Sequence, residues 1–471
     1  MANSIVALPP FLPDQNANSG GLNTANNVYP RTDGYGPINA LASMSDAMGG
    51  TFKGGMSFIA GDGQSYLLAA TDSALLRYSS GAWTTLASLA VTAHWRFTQF
   101  GNYAIGVNGA TTKVVDLIAG TASTLTGAPA GTSIAVVGDY VVVGQASGDL
   151  LGVYTSAFND HTGWTPGVNG ATIQPMLTGG EVMGLAGGEY GVILQRSRLV
   201  RMSRTGDALA PFQYDEITPN VGCAAKSSVV QVGRTVFFLS DRGFMALEDG
   251  QQVRPIGSEK VDRTFQGRVS RDDYERMFTA VDPQNKLVMW CIPGSPGSLW
   301  IYNFELDRWS TASMAIDGVF SGFTSSMTLE AVSALYPDID AMPYSLDDPR
   351  FSGGNPRLYG VASQMLSTFT GATLQASFQF SFQEFSKGHV TRMRSVRPVG
   401  DMVSGQSFTL DCRARLGDAP NIKTAGALRD SGIMPVRCSG RYMLPAWTID
   451  AGASWSYAQG VTFEYEAGGE R

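Results

Sequence analysis

The sequence predicts an all-β protein: a β-propeller of six or seven blades, preceded by an extended N-terminal arm and followed by a C-terminal β-sandwich-like domain. Three observations lead to this prediction. Short apolar stretches alternate with polar turns at a regular interval. Glycine is abundant, at 56 of 471 residues, and glycine supplies the positive φ angles that tight turns need. Patterns with the 3.6-residue period of an amphipathic helix are almost absent.

Residues 1–50 are predicted to form the extended arm. They are rich in Pro, Asn, Gly and Ser and show no sustained period of 2 or 3.6. The prolines of this segment impose extended or turn conformations on their neighbours. The aromatic residues Phe11, Tyr29 and Tyr35 indicate that the arm docks, either on its own body or on a neighbouring chain.

Residues 51–365 are predicted to form the propeller. The repeated unit is an apolar strand followed by a polar turn, and it recurs at roughly 37- to 51-residue intervals, close to the spacing of propeller blades. The first strands of the units lie at 56–60, 97–100, 134–137, 183–186, 229–232 and 278–281. A second hairpin, which in three units leads to Trp83, Trp164 or Trp309, completes four strands. Six blades fit residues 51–316, and residues 317–365 offer a seventh.

An irregular insertion is predicted near residues 325–357. It contains a cluster of carboxylates within residues 336–348, namely Asp338, Asp340, Asp347 and Asp348. Clustered carboxylates suit a hard cation such as calcium, but the spacing matches no EF-hand. We favour a solvated acidic loop and leave the calcium site as an alternative.

Residues 366–471 are predicted to form the separate C-terminal β domain. Phe378, Phe380 and Phe382 alternate with polar residues, which is typical of a half-buried strand. Further strands are expected near 390–397, 407–415, 440–449 and 460–466, which favours a small sandwich. The one short helix that we expect covers 271–276, because Ser270 can cap it and two aspartates follow.

The charge balance argues against tight, general binding of nucleic acid. The net charge is −7, and charged residues make up only 15% of the chain, whereas proteins that grip phosphates carry a basic excess. One segment is locally basic: Lys387, Arg392, Arg394, Arg397, Arg413, Arg415, Arg429, Arg437 and Arg441. We interpret these side chains as solvated strand faces, with docking to an acidic partner as the alternative.

No catalytic, cofactor or metal site is predicted. The three histidines, His94, His161 and His389, share no metal-ligand spacing, and no nucleophile elbow, zinc-protease or phosphate-loop motif is present. The cysteines form no C-x-x-C pair, so we expect Cys223, Cys291, Cys412 and Cys438 to be buried free thiols. No secretion signal and no apolar stretch of membrane-spanning length are expected.

Several motifs, taken in order, resemble the hub or nozzle proteins of short-tailed bacteriophages, also called packaged-DNA stabilisation proteins. The first is 26–30 (NNVYP) followed by 34–37 (GYGP). The next are 222–225 before 237–243, and 300–303 with 308–310. The last is 440–442 followed by Trp455 and Gly460. The resemblance spans nearly the whole chain except for residues 317–365.

The resemblance implies a structural, non-enzymatic subunit of the virion tail that is made in the host cytoplasm. Such a subunit forms a homo-hexameric ring, extends the DNA channel below the portal and its adaptor, helps to retain packaged DNA and conducts it during ejection. Its partners would be the portal-adaptor (head-to-tail connector) protein and a tail needle, plug or fibre, with transient, non-specific contact with genomic DNA. By analogy, the arm residues Asn27, Tyr29, Pro30 and Tyr35 are candidate inter-subunit or inter-domain contacts.

Two other functions stay open at the level of sequence. A virion-borne propeller could bind or cleave host surface glycans, in which case aromatic residues and carboxylates would gather in one pocket. A cellular propeller could instead serve as a scaffold that binds peptides.

Overall fold

The structure, a computed structural model, describes residues 2–207, 209–324 and 354–468. The predicted acidic segment 336–348, and with it the alternative of a calcium site, therefore lies outside the described residues. Almost all regular secondary structure of the described residues is β-strand, which confirms the all-β prediction. The strands of the N-terminal segment are β1 (Ala2–Ala7), β2 (Leu22–Asn26), β3 (Val28–Arg31), β4 (Gly34–Pro37) and β5 (Ala42–Ala47).

Five antiparallel four-stranded sheets follow, each formed by consecutive strands. The first sheet is β6 (Phe52–Ile59), β7 (Ser65–Thr71), β8 (Ala74–Ser79) and β9 (Ala82–Ser88). The second is β10 (Arg96–Phe100), β11 (Tyr103–Val107), β12 (Thr112–Asp116) and β13 (Thr121–Thr124). The third is β14 (Gly131–Val137), β15 (Tyr140–Ala146), β16 (Asp149–Thr155) and β17 (Thr172–Pro175). The fourth is β18 (Val182–Ala186), β19 (Gly191–Gln195), β20 (Arg198–Arg204) and β21 (Phe212–Pro219), and the fifth is β22 (Val230–Val232), β23 (Thr235–Ser240), β24 (Gly243–Glu248) and β25 (Gln252–Pro255).

Strands of the N-terminal segment pair with two further groups. The sixth group is β26 (Phe278–Asp282), β27 (Leu287–Ile292), β28 (Gly294–Asn303) and β29 (Arg308–Ile316). The seventh is β30 (Gly318–Phe323), β31 (Pro356–Ala362) and β32 (Met365–Thr368). Strand β5 pairs with β32 and thus supplies the fourth strand of the seventh group. The chain therefore presents four-stranded units in a propeller-like series.

The first strands of neighbouring units pack on one another. Strand β10 lies between β6 and β14, and β14 packs on β18. Strand β26 lies between β22 and β30, and β30 in turn packs on β6. The apolar side chains that face between units form the buried clusters. One such cluster joins Phe52, Phe278 and Phe320, whose rings are 5.2 and 5.8 Å apart.

The C-terminal strands form two sheets that pack face to face. They are β33 (Ala376–Phe380), β34 (Thr391–Gly400), β35 (Gln406–Arg413), β36 (Ile422–Thr424), β37 (Met434–Gly440), β38 (Tyr442–Ile449) and β39 (Ala458–Ala467). Strand β2 pairs with β29 on one side and β33 on the other, so β33, β38, β35 and β36 extend the sixth group. Strands β3, β4, β39, β34 and β37, with β1 on β39, form the second sheet. Phe463 of β39 contacts Phe380 and Phe408 across the two sheets, at 6.4 and 6.0 Å between ring centroids.

Helical structure is confined to short segments in the described part of the chain. The predicted turn at 271–276 is present as a 3₁₀ helix, Arg271–Glu275, and Ser270 and Asp273 form the expected cap. A second 3₁₀ helix covers Lys226–Ser228, and helix α1 covers Asp262–Arg268. Sequence analysis missed α1 because its apolar face rests mainly on one large side chain, Phe265, whose ring lies 4.7 Å from that of Phe244.

Two cysteines differ from the sequence prediction. Cys412 of β35 and Cys438 of β37 form a disulfide between the two C-terminal sheets, whereas the sequence predicted free thiols. The two residues are 26 positions apart, and only the folding of the sheets brings them together. Cys223 and Cys291 are buried and free, as expected.

Candidate functional site

Asn27, the first of the predicted contact residues, connects the sixth group of strands to the C-terminal unit. Its side-chain amide donates a hydrogen bond to the Gln375 carbonyl at 2.8 Å. Its Oδ1 accepts one from the Ser313 amide, also at 2.8 Å. The backbone has φ of +60°, a left-handed conformation that asparagine tolerates better than most residues. Asn27 thus makes its contacts within one chain.

The other three predicted residues also lie inside the chain. Tyr35 is fully buried, its hydroxyl donates to the Pro9 carbonyl at 3.1 Å, and burial raises the pKa of its phenol. The Pro30 carbonyl accepts a hydrogen bond from the Asn303 amide at 3.1 Å. Tyr29 is half-buried against the cluster that the first, sixth and seventh groups share. The side chains of these residues pack within the chain, and their role between subunits stays a prediction.

A cavity of about 630 Å³ opens where the first strands of successive units begin. We call it the central cavity. Its walls carry six Lys or Arg side chains and two Glu side chains, an excess of four positive charges. These residues are Lys53, Arg96, Arg196, Lys226, Arg271, Arg276, Glu181 and Glu275. The first four of the seven units contribute, together with the two 3₁₀ helices and the residues that flank them.

Arg96 is a cation of the central cavity that is held by a short chain of hydrogen bonds. Its Nη2 donates to Ser227 Oγ at 2.8 Å, and Ser227 Oγ lies 3.3 Å from His94 Nδ1. Burial, followed by the charges of Arg96 and Lys53, lowers the pKa of His94 to about 3. A neutral His94 can therefore accept the Ser227 hydroxyl proton, and this chain of hydrogen bonds fixes the guanidinium. The His94 ring also stacks on Phe278, at 4.4 Å between centroids.

The cations of the cavity fall into two classes. Arg196 and Arg271 both lie near Asp241, at 3.6 and 3.5 Å, and Arg276 lies 3.4 Å from Asp273. Within the part of the chain that the structure describes, the remaining three, Lys53, Arg96 and Lys226, have no carboxylate within ion-pair distance. Half of the positive charge is therefore left without a salt bridge.

Asn108, in the wall of the same cavity, has a side-chain N–H donor without a partner among the described residues. Its Oδ1 accepts the amides of Ala110 and Thr111, at 3.0 and 2.9 Å. These two bonds fix the orientation of the side-chain amide, which is buried and lines the central cavity. Its Nδ2 has no hydrogen-bond partner among the described residues. A buried donor without a partner is costly, and because the Nδ2 atom is itself buried, it lies behind the surface of the cavity.

A second, open pocket lies between the second and third sheets. Its aromatic side chains are Phe100, Tyr103 and His161, and the Tyr103 and His161 rings are 4.5 Å apart. Asp116 and Asp160 also line it. Hydrogen bonds from Thr162 lower the pKa of Asp160. We call this the aromatic pocket, and its side chains suit stacking on an apolar ring face better than proton donation.

Reactive groups outside these pockets are few in the described ranges. No set of three His, Cys, Asp or Glu side chains is placed to hold a metal ion in the described residues. Burial raises the pKa of the Cys223 thiol to about 11 and raises that of Cys291 further. Thiols of this kind are poor nucleophiles because the thiolate is the reactive form. No helix in the described part is long and apolar enough to cross a membrane.

Sequence analysis missed the central cavity. Its unpaired cations are separated by up to about 170 residues along the chain, so no linear cluster exists. A weaker pattern was present nonetheless. Lys53, Arg96 and Lys226 each lie within three residues before a predicted first strand, and Arg276 does so before the strand at 278–281. Basic residues at the same point of several repeats meet at the same end of a propeller-like body.

Comparisons with known proteins leave the family open. No family model and no curated protein matches the chain. Among solved structures, the chain is similar to two crystal structures of an extracellular domain from B. thetaiotaomicron, described as part of a proposed hybrid two-component system and of a proposed one-component system. Each has a TM-score of 0.41 and 10% identity, over 88% and 84% of this chain. The chain spans about half of their length, with 47% of each covered, and nothing about function follows from likeness at this level.

Proposed function

We propose that the chain is a structural subunit of a bacteriophage tail hub or nozzle ring. In this role it extends the DNA channel below the portal and adaptor, helps to retain packaged DNA and conducts it during ejection. The observation that carries the proposal is that the N-terminal segment, which contains the first of the motifs that resemble that family, forms strands that pair with the rest of the chain. Strand β2 joins two groups of strands, and β5 completes a third.

The proposal includes a closed propeller of seven blades. Support comes from the packing of β30 on β6, which brings the last unit beside the first. The pairing of β5 with β32 adds to this, because a strand from the start of the chain then holds the last unit in place. A closed ring of blades is rigid, since every unit is held on both faces. A rigid body suits a subunit that must keep a channel open.

The charge of the chain is consistent with conducting DNA. Six copies at −7 each would carry about −42, and a net negative wall repels phosphates. DNA could then slide without being trapped. The central cavity is a separate feature within one subunit, and at about 630 Å³ it has the size of a small-molecule pocket.

Negative-stain class averages of the purified protein and immunolabelling of phage particles test this proposal. We expect a sixfold ring and a label on the virion tail. A soluble monomer that is absent from particles would overturn it. A hexamer that binds an adaptor protein of the same phage in a pull-down, but not an unrelated one, would add support for the position below the portal.

The second candidate is a virion-borne protein that binds host surface glycans. The aromatic pocket favours it, because Tyr103 and His161 offer ring faces for sugars beside two carboxylates. Binding is better supported than cleavage, because glycosidases need one carboxyl with a raised pKa as the general acid, whereas the pKa of Asp160 is lowered. Loss of polysaccharide binding in Tyr103→Ala but not in Phe158→Ala, an exposed aromatic outside this pocket, would support this candidate. Equal binding by both variants would remove it.

A further inference from the structure

Three of the cations that line the central cavity, Lys53, Arg96 and Lys226, have N–H donors and positive charge that no carboxylate of the described residues pairs. Arg96 gives one N–H to Ser227, and an arginine carries five. Lys53 and Lys226 line the same space and are unpaired in the described part of the chain. Donors without acceptors call for a ligand that brings several acceptor oxygens.

The electrostatics lead to the same kind of ligand. Burial lowers the pKa of Arg96 to about 10, so the guanidinium is charged at neutral pH despite the cost of desolvation. His94 contributes no positive charge at that pH, because its pKa is about 3. Of the two carboxylates, Glu181 is held by the Gln145 amide, which donates to its Oε2 at 2.6 Å. In the described residues no carboxylate lies within ion-pair distance of Arg96 or Lys226, so an incoming anion would meet both cations without displacing a salt bridge.

We propose that the central cavity binds a small molecule through its carboxylate or phosphate group, held by Arg96 and Lys226. A guanidinium presents paired N–H groups that match the two oxygens of a carboxylate or phosphate. The volume of about 630 Å³ is within the range of small-molecule pockets. This inference goes beyond the tail-ring function and does not depend on it.

Three sugars with the same pyranose ring test the inference by isothermal titration calorimetry. Glucuronate carries a carboxylate, glucose 6-phosphate carries a phosphate, and glucose carries neither. We expect at least one of the two anions to bind at least tenfold more tightly than glucose. The anion that binds more tightly identifies the group that the cavity prefers. Equal binding of all three sugars, or no binding of any, would overturn the inference.

Variants then locate the site. Arg96→Gln should weaken anion binding at least tenfold, and Lys226→Gln should weaken it severalfold. Asn108→Asp keeps the Oδ1 acceptor for Ala110 and Thr111 but places a negative charge in the cavity wall, so it should abolish binding of an anion. Arg394→Gln is the matched control, because it removes one positive charge from the exposed pair with Glu466, far along the chain from the cavity residues.

Circular dichroism and thermal unfolding show whether each variant folds. If Arg96→Gln fails to fold, Lys226→Gln and Asn108→Asp test the same site independently. Undiminished binding by folded cavity variants, or the same loss in Arg394→Gln, would refute the assignment.

Discussion

Replacing Asn27 by Ala should destabilise the protein by about 3 kcal/mol. The side chain of Asn27 makes two hydrogen bonds, to the Gln375 carbonyl and from the Ser313 amide. Each such bond contributes roughly 1 kcal/mol, so removal of the side chain, and of both bonds with it, costs about 2 kcal/mol. Alanine at φ of +60° adds roughly 1 kcal/mol, because a Cβ beside the following carbonyl disfavours the left-handed region and alanine lacks the local hydrogen bonds of asparagine.

Asn169→Ala is the matched control for the backbone contribution. Asn169 has φ of +49° and is exposed. Only its backbone carbonyl takes part in a hydrogen bond that the structure records in the described residues, from the Phe158 amide. Its replacement should therefore cost only the roughly 1 kcal/mol of the left-handed conformation. Urea unfolding followed by tryptophan fluorescence gives both values.

Asn27→Asp separates the two hydrogen bonds. An aspartate keeps the acceptor for the Ser313 amide but places a carboxylate oxygen against the Gln375 carbonyl, so Asn27→Asp should cost at least as much as Asn27→Ala at neutral pH and less in acid, where the protonated carboxyl can donate. If Asn27→Ala and Asn169→Ala cost the same, the side-chain bridge contributes nothing, and the reasoning about the N-terminal segment fails.

Three further predictions concern the packing of the fifth and sixth groups of strands. Gly243→Ala should lower the unfolding free energy by more than about 3 kcal/mol, because a Cβ there would overlap the Asp262 carboxyl. The control is Gly233→Ala, which is also at positive φ but has open space around it and should lower the unfolding free energy by only roughly 1 kcal/mol. Burial is the main cause that raises the pKa of Asp262 to about 6, so the folded protein binds this proton more tightly than the unfolded chain does. Protonated Asp262 therefore stabilises the fold by at most about 3 kcal/mol at low pH, and this stabilisation is lost as pH rises from about 4 through 6. Asp262→Asn should flatten the dependence of urea midpoints on pH over that range. Trp309→Phe should cost about 2 kcal/mol in the same assay, because it leaves the Ile256 carbonyl without the indole N–H, 2.9 Å away, and an unchanged midpoint would contradict this.

The four-stranded units could be predicted from sequence because their pairings are local. Strand β10, for example, pairs with β11 across a two-residue turn at Gly101, and the glycine adopts φ of +56°. Alternation of apolar residues and turn composition are sufficient to indicate such hairpins. The Ser270 cap was predictable for the same reason, since all its partners lie within three residues.

The pairings of the N-terminal segment could not be predicted in this way. Strand β1 pairs with β39, where Ala2 lies opposite Tyr465, and β5 pairs with β32, where Ala42 lies opposite Thr368. Over such separations the sequence records only that a segment is extended and has apolar residues. It does not record which of many exposed strand edges the segment will meet. An arm rich in proline and asparagine therefore gave no indication of five strands.

The central cavity shows how a repeat converts sequence position into spatial position. A residue near the start of the first strand of one unit lies close to its equivalents in the neighbouring units, because the first strands pack on one another. Lys53, Arg96 and Lys226 occupy this position in the first, second and fifth units, although each is an ordinary isolated cation along the chain. At the equivalent position the third unit has Thr132 and the fourth has Glu181. Positive charge is therefore concentrated on part of the wall, and Asn108, from the turn after β11, lies beside the second unit.

A ring of equivalent lysines would attract any anion, whereas this uneven wall favours a ligand with one charged end and one neutral end. That distinction is why sugars that carry one anionic group are the probes for this cavity.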